Sequence, residues 1–200
     1  MAEPAAVPFV GLTGGMGAGK STALAALEGL GAAVLSSDAV VHELYAGEQL
    51  RDAVLARWGP EVAPGGVVDR AAVAARAFAG EEDRAWLEGV VWPLVGERVA
   101  DWLARARARR PPPRAAVVEV PLLFEAGLER VYDATIAVVA DEALRRRRDA
   151  ARGHALADER AARQLSQEEK ARRATFVVRN DGSEEDLVRQ LSAVLDKLEG

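Results

Sequence analysis

The chain has 200 residues, a formal net charge of −5 at pH 7 and no cysteine, and half of its residues are hydrophobic. This length predicts one domain with room for an inserted subdomain, and the lack of cysteine excludes disulfides, thiolate zinc sites and thiol nucleophiles. No apolar run approaches the ~18 residues of a membrane span, and the amino terminus lacks the pattern of a secretory signal. We therefore expect a cytoplasmic protein without a membrane partner, and the acidic net charge argues against nucleic acid as a partner.

A glycine-rich segment lies between a predicted strand and a predicted helix near the amino terminus. Residues 7–13 are apolar and predict a buried strand, and residues 23–30 have helical periodicity. Between them, residues 14–22 read GGMGAGKST, which satisfies the P-loop pattern G-x-x-x-x-G-K-[ST] in the strand–loop–helix setting that it requires. A glycine turn without chemical function is the alternative, and the number of matched positions favours the P-loop.

The predicted loop binds the phosphates of a nucleoside triphosphate. Glycine lets successive backbone N–H groups point at phosphate oxygens, and the amino-terminal end of the following helix adds positive potential. We expect Lys20 to reach the β- and γ-phosphates and the Ser21 hydroxyl to bind Mg²⁺. The predicted nucleotide-binding residues of the loop are Gly14, Gly15, Gly17, Ala18, Gly19, Lys20, Ser21 and Thr22.

Asp38 follows the second predicted strand, which covers residues 32–35 and precedes a helix predicted over residues 39–45. In open α/β sheets, ligands bind beyond the carboxyl ends of the strands. An aspartate at this point is either the N-cap of the helix or a catalytic base, and spacing alone leaves the two equal.

Residues 48–110 change to helical periodicity. Asp69 is predicted to cap one helix, and Pro93 is predicted to break or restart another. Three of the four tryptophans fall in its second half, residues 81–110, and are predicted to pack in the core: Trp86, Trp92 and Trp102. Because about sixty residues exceed an ordinary crossover, we expect a subdomain that covers the acceptor substrate.

Glu119 lies near the carboxyl end of a third predicted strand, over residues 115–120, and a fourth strand is predicted over residues 133–139. The carboxylate of Glu119 either holds the water shell of Mg²⁺ or caps the turn that follows, and the pattern leaves both open.

The last third of the chain combines an arginine-rich stretch with a fifth strand. Two polar helical stretches cover residues 142–152 and 158–173, and their arginines are typical of a mobile lid that closes over phosphates. The fifth strand is predicted over residues 174–178. It leads to Asn180 and Gly182, where the adenine of a P-loop kinase lies, and Ser183 is predicted to cap the last helix.

Several separated segments match one family pattern together. They are residues 11–22, Asp38, Asp69-Arg70 leading to Phe78, residues 119–125, Gln164 with Glu168-Glu169-Lys170, and residues 176–182. The TGGxG form of the P-loop combined with the PLLFE stretch at residues 121–125 is the most specific part. On these residues the chain resembles the dephospho-CoA kinase family over nearly all of its length.

The resemblance implies ATP-dependent phosphorylation of the ribose 3′-hydroxyl of dephospho-CoA, the last step of coenzyme A synthesis. It implies an α/β P-loop NTPase fold in which helices flank a five-stranded parallel sheet. The expected division is a core of residues 1–46, 111–142 and 173–200, a helical substrate subdomain of residues 47–110 and a lid of residues 143–172. The expected partners are small molecules, ATP and dephospho-CoA, with Mg²⁺, and the protein is a monomer or a homo-oligomer.

The resemblance also implies roles for particular residues. For Asp38 it favours the role of catalytic base over that of N-cap. It also adds Lys20 and a lid arginine, Arg148 or Arg152, to the predicted catalytic residues. The implied substrate-binding residues are Thr13, Asp38, Arg70, Phe78, Trp92 and Leu122. The runner-up function is another small-molecule P-loop kinase, of nucleoside monophosphate or shikimate type.

One position departs from the family pattern. The family usually has His-Pro where this chain has Trp92-Pro93. Trp92 therefore either replaces the imidazole by stacking on the acceptor or leaves its role unfilled.

Overall fold

The computed structural model describes residues 6–150 and 164–199. The chain divides into two compact units, one of Met1–Ser36 with Leu103–Gly200 and one of Ser37–Trp102. Within the described ranges, no helix is both long enough and apolar enough to cross a bilayer.

The first unit contains a five-stranded sheet. Its strands are β1 (Phe9–Gly14), β2 (Ala33–Ser36), β3 (Ala116–Glu119), β4 (Ala134–Val139) and β5 (Phe176–Arg179). They are ordered β2-β3-β1-β4-β5, and each pairing is parallel. The predicted parallel α/β sheet is therefore confirmed. The central strand β1 is buried at all six positions, which agrees with its continuous apolar sequence.

The described helices fall between and after these strands. They are α1 (Lys20–Gly29), α2 (Ser37–Ala46), α3 (Glu48–Trp58), α4 (Arg70–Phe78), α5 (Glu81–Ala108), α6 (Glu142–Ala150), α7 (Gln167–Arg173) and α8 (Glu184–Glu199). Short 3₁₀ turns cover Pro60–Val62, Pro64–Gly66 and Leu128–Val131.

Helix α8 packs its apolar stripe into the core of the first unit. Leu187, Leu191 and Leu195 recur every four residues, lie on one face and are fully buried. At its start, the Ser183 hydroxyl accepts from the Asp186 N–H at 3.1 Å, and an Asp186 carboxylate oxygen accepts from the Ser183 N–H at 3.2 Å. This reciprocal capping confirms the prediction that Ser183 begins the helix.

The second unit is helical, as its periodicity predicts. Asp69 caps α4 by accepting hydrogen bonds from the N–H groups of Ala71 at 2.9 Å and Ala72 at 3.2 Å, so the predicted N-cap is confirmed. The rings of Trp58 and Trp86 meet edge-to-face with centroids 5.0 Å apart.

Two expectations about α5 are wrong. The helix runs through Pro93 without interruption, because a proline removes one hydrogen bond and the other bonds of a 28-residue helix remain. Trp92 does not pack in the core, since 44% of its surface is exposed. The proline and the tryptophan lie side by side at an exposed part of the helix.

We expect Leu191→Ala to lower the free energy of unfolding by about 2–5 kcal/mol, because it leaves a cavity at a fully buried position of α8. Urea unfolding followed by circular dichroism measures this. Leu198→Ala, at a partly buried position of the same helix, is the matched control and should cost less. Equal losses for the two variants would contradict the packing described for α8.

Candidate functional site

The glycine loop connects the central strand β1 to helix α1. Gly17 has φ +69° and Gly19 has φ +89°, a left-handed conformation that side chains with a Cβ rarely adopt. Gly19 is the N-cap residue of α1. Because it has no side chain, no capping hydrogen bond is made to the first N–H groups of the helix. These groups therefore face the loop, where they favour an anion.

Neighbouring elements approach the loop more closely than side chains on it would allow. A Cβ on Gly14 would lie 2.5 Å from the carbonyl oxygen of Val138 in β4. A Cβ on Gly17 would lie 2.5 Å from the carbonyl oxygen of Arg145 in α6. The glycines therefore permit β4 and α6 to pack directly against the loop backbone.

Five consecutive carbonyl oxygens of the loop, those of residues 14–18, each accept a hydrogen bond from a side chain. The pairs are Lys20 Nζ to Gly14 at 3.1 Å and to Gly15 at 3.2 Å, Arg145 Nε to Met16 at 2.8 Å, Arg148 Nη1 to Gly17 at 3.4 Å and Asn180 Nδ2 to Ala18 at 2.9 Å. In a trans peptide the N–H points opposite to the C=O. The peptide N–H groups that follow these carbonyls therefore point away from the donor side chains, an orientation typical of a phosphate-binding loop, and one of them, that of Ala18, donates to the Gly15 carbonyl at 3.3 Å.

The arginines at the loop come from α6. Arg145 and Arg148 are three residues apart and so lie on one face of the helix. Arg148 is half-buried and also donates to the Asn180 carbonyl at 3.4 Å. Arg145 was not among the predicted site residues, and its only sequence signal was membership of the arginine run. Arg152 and the predicted lid residues 151–163 lie outside the described residues.

Oxygen donors suited to Mg²⁺ occur at two places in the first unit. Ser21 lies in the first turn of α1 and is exposed. Glu119, at the carboxyl end of β3, is 9% exposed, and its carboxylate accepts from the Ser36 hydroxyl at 3.1 Å. Among residues 6–150 and 164–199, no three His, Asp or Glu side chains gather as a metal site. A hydroxyl and one carboxylate fit Mg²⁺, which keeps waters and substrate phosphates as its other ligands.

Asp38 lies in the first turn of α2, which begins at Ser37, and its side chain is exposed. The residue is therefore inside the helix, and the alternative prediction that it is the N-cap is wrong. The sequence pattern misplaced the start of this helix by two residues, which is the ordinary uncertainty of a helix boundary.

Arg70 is held by two side chains of α2 within the second unit. One guanidinium nitrogen lies 2.6 Å from His42 Nδ1, and its carbon lies 5.4 Å from the centre of the Tyr45 ring. Because arginine only donates, His42 Nδ1 is the acceptor. Burial raises the pKa of Tyr45, and the positive charge of Arg70 acts in the opposite direction. The guanidinium group of Arg70 is thus held in one orientation by α2.

Two of the other predicted substrate-binding residues of this unit are exposed aromatic side chains. Phe78 is 49% exposed and Trp92 is 44% exposed. Both therefore offer apolar surface that the protein does not bury within the second unit.

A buried cluster lies behind the loop in the first unit. The fully buried Lys170 of α7 donates to Pro121 O at 2.6 Å, to the Glu125 carboxylate at 2.9 Å and to the Thr13 hydroxyl at 3.3 Å. Burial lowers the pKa of Lys170, and the hydrogen bond to Glu125 raises it. Leu122, predicted to bind substrate, is half-buried beside Pro121.

Thr13 belongs to this cluster. Its side chain is fully buried, and its hydroxyl donates to Pro121 O at 3.3 Å while it accepts from Lys170. These contacts favour a structural role for Thr13 over the predicted direct contact with substrate. Lys170 was part of the matched family pattern, but the sequence assigned no role to it.

Comparisons with known proteins give matches over nearly the whole chain. A family model described as dephospho-CoA kinase matches residues 8–186. A dephospho-CoA kinase of Deinococcus radiodurans is 42% identical over 197 residues, covering 95% of this chain and 92% of that protein. A crystal structure from Thermus thermophilus superposes with a TM-score of 0.81 at 39% identity, covering 98% of this chain and 100% of the other. A dephospho-CoA kinase structure from Campylobacter jejuni has the same fold, with a TM-score of 0.68 at 21% identity over 95% of this chain and 96% of that one.

We expect Gly17→Ala to weaken the binding of a non-hydrolysable ATP analogue by at least about tenfold, since a left-handed alanine costs about 1–2 kcal/mol and its Cβ meets Arg145. Isothermal titration calorimetry measures the affinity. Gly89→Ala in α5, where a Cβ has open space, is the control and should bind the analogue normally. Equal affinity in both variants would show that the loop tolerates a Cβ at residue 17.

Proposed function

Since the chain belongs to the dephospho-CoA kinase family, we propose a mechanism in which the loop after β1 holds ATP and Asp38 activates the acceptor. The chain is a kinase that phosphorylates the ribose 3′-hydroxyl of dephospho-CoA with ATP, giving coenzyme A and ADP, the last step of coenzyme A synthesis. The observation that carries this function is the family match over residues 8–186, which includes the P-loop. The match does not favour a kinase of nucleoside monophosphate or shikimate type.

The loop contributes charge stabilisation. Peptide N–H groups of the loop and of the start of α1 bind the triphosphate oxygens, and Lys20 leaves the carbonyls of Gly14 and Gly15 for the β- and γ-phosphates. Asn180 keeps the loop in place through its hydrogen bond to Ala18 O. Gly182, two residues after Asn180, belongs to the segment assigned to the adenine. Phosphoryl transfer depends on such positioning, because the protein does little covalent chemistry in it.

Ser21 and Glu119 are proposed to hold Mg²⁺, Ser21 by direct contact and Glu119 through water. The support is the chemistry of their oxygen atoms and the position of Glu119 on β3, whose residue 119 pairs with Leu12 of β1. When bound, Mg²⁺ neutralises charge on the β- and γ-phosphates. Ser36 orients the Glu119 carboxylate through its hydroxyl.

Asp38 is proposed to orient the 3′-hydroxyl of the acceptor and to accept its proton. Its place two residues after the end of β2, its exposure and the family pattern support this role. Arg70 supplies a cation for the anionic groups of dephospho-CoA, and Phe78, Trp92 and Leu122 supply apolar surface.

Arg148 is proposed to move from Gly17 O to the transferred phosphoryl group when ATP binds. Its hydrogen bonds of 3.4 Å are long, so a charged oxygen is a stronger acceptor than the carbonyls it now contacts. Arg152 stays the alternative. The cytoplasmic location and the monomer or homo-oligomer state stay predictions from the sequence.

A panel of acceptors tests the function. With ATP and Mg²⁺, the purified protein should release ADP when dephospho-CoA is added, and mass spectrometry should identify coenzyme A as the product. Shikimate and AMP should give the background rate. Transfer to either of these, without transfer to dephospho-CoA, would replace the proposed function with the runner-up.

We expect Asp38→Asn to lower kcat by about 10²–10⁴-fold with little change in dephospho-CoA affinity, because the amide keeps the shape of the carboxylate but accepts no proton. A coupled assay for ADP gives kcat, and calorimetry gives the affinity. Asp52→Asn, at an exposed acidic residue of α3 paired with Arg51, is the matched control. Near-normal turnover by Asp38→Asn with intact binding would remove Asp38 as the base.

A further inference from the structure

The three hydrogen bonds of Lys170 account for every donor that its ammonium group carries. The group has three N–H bonds, and it has three acceptors within 3.3 Å, on Pro121, Glu125 and Thr13. The side chain is 0% exposed. Lys170 therefore has neither a spare donor nor access to a substrate, and any effect it has on the reaction passes through the groups that it holds.

The nucleotide loop does not depend on Lys170 for its position. Strand β1 is paired with β3 on one side and with β4 on the other, and the β4 ladder extends to Gly14, which pairs with Val138. Thr13 is inside this ladder. The backbone at the start of the loop is therefore fixed by the sheet, whichever side chain stands at position 170.

The Pro121–Leu122 peptide, by contrast, lies beyond the backbone pairing of the sheet. Backbone pairing of β3 with β1 ends where Val120 N–H donates to Leu12 O at 2.8 Å. Beyond that point Pro121 has no N–H, and its carbonyl oxygen is bound by Lys170 at 2.6 Å and by Thr13 at 3.3 Å. Two side chains thus hold the Pro121 carbonyl oxygen, whereas the carbonyl oxygen of Leu122 accepts from the Ala126 N–H at 3.0 Å.

Helix α7 gives Lys170 a rigid base. Gln167 makes two hydrogen bonds to the end of β4, accepting from Ala140 N at 3.1 Å and donating to Ala140 O at 2.9 Å. Arg173, at the last turn, forms an ion pair with Glu129, and its guanidinium carbon lies 4.9 Å from the centre of the Phe124 ring. The helix is anchored at both ends, so the ammonium between them can hold a fixed position.

We propose that Lys170 is a positioning residue for the acceptor: it holds the Pro121–Leu122 peptide where the Leu122 side chain meets dephospho-CoA. This inference rests on the proposed function, which assigns Leu122 to the acceptor. Loss of the ammonium group releases the peptide without releasing the nucleotide loop. The KM for dephospho-CoA therefore rises, whereas the KM for ATP stays nearly constant.

The test compares two variants with the same neutral residue at position 125. Glu125→Gln keeps an acceptor oxygen for Lys170, and the double variant Lys170→Met/Glu125→Gln removes the ammonium without leaving a buried carboxylate unpaired. Relative to the single variant, the double variant should show an increase of about tenfold or more in the KM for dephospho-CoA, with less than about threefold change in the KM for ATP. Arg172→Met, an exposed position of the same helix, controls for the loss of a cation from α7.

A purely structural role gives a different result. The double variant would then melt at a lower temperature but keep both KM values on its folded fraction, and this result would overturn the proposal. Equal increases in the two KM values would overturn it as well, because the loop would then depend on Lys170.

A milder pair covers the case in which the double variant does not fold. Thr13→Val removes the second donor to Pro121 O while Lys170 stays in place, and Thr13→Ser keeps the hydroxyl. The valine variant should show a higher KM for dephospho-CoA than the serine variant, and equal values would overturn the proposal. Wild-type turnover of dephospho-CoA is measured first, so that a failure of the proposed function itself is recognised before any variant is compared.

Discussion

The orientation of five peptide groups in one loop is the constraint on which the first unit depends. The carbonyl oxygens of residues 14–18 accept hydrogen bonds from Lys20, Arg145, Arg148 and Asn180, side chains that come from α1, α6 and the segment after β5. These hydrogen bonds fix the orientation of the loop peptides through side chains from several elements. Elements from both ends of the chain therefore meet at this loop.

A second positive charge, the ammonium group of Lys170, organises the buried cluster behind the loop. An ammonium group without solvent contact is stable only when each of its donors has an acceptor, and Lys170 has Thr13, Pro121 and Glu125. These residues tie α7 to the strand that leads into the P-loop and to the segment after β3. One buried hydrogen-bond network thus joins α7, β1 and the segment after β3 in the first unit.

Much of the fold could be predicted because its signals are local. The apolar run of β1, the strand–loop–helix setting of the glycine pattern and the Ser183 cap of α8 each reside in fewer than about twenty residues, and each was confirmed. Pro93 and Trp92 were misjudged for the opposite reason. Whether a helix continues through a proline, and whether a tryptophan is buried, depends on the packing around the helix, and no pattern within the helix records that packing.

The candidate site likewise combines residues that local sequence patterns predict with residues that only the tertiary structure identifies. The sequence alone predicted the phosphate loop with Lys20 and Ser21 as its charged and hydroxyl groups. It also predicted the N-cap of α4 at Asp69, which is confirmed. Only the folded chain showed that Arg145 binds the loop, that Thr13 faces inward and that Lys170 is buried. Lys170 and Thr13 are 157 residues apart in the sequence, and Lys170 and Pro121 are 49 apart. A lysine acquires its role in such a contact from partners that are brought together only when the sheet and α7 pack, because burial is a property of the assembled interior and not of any short segment.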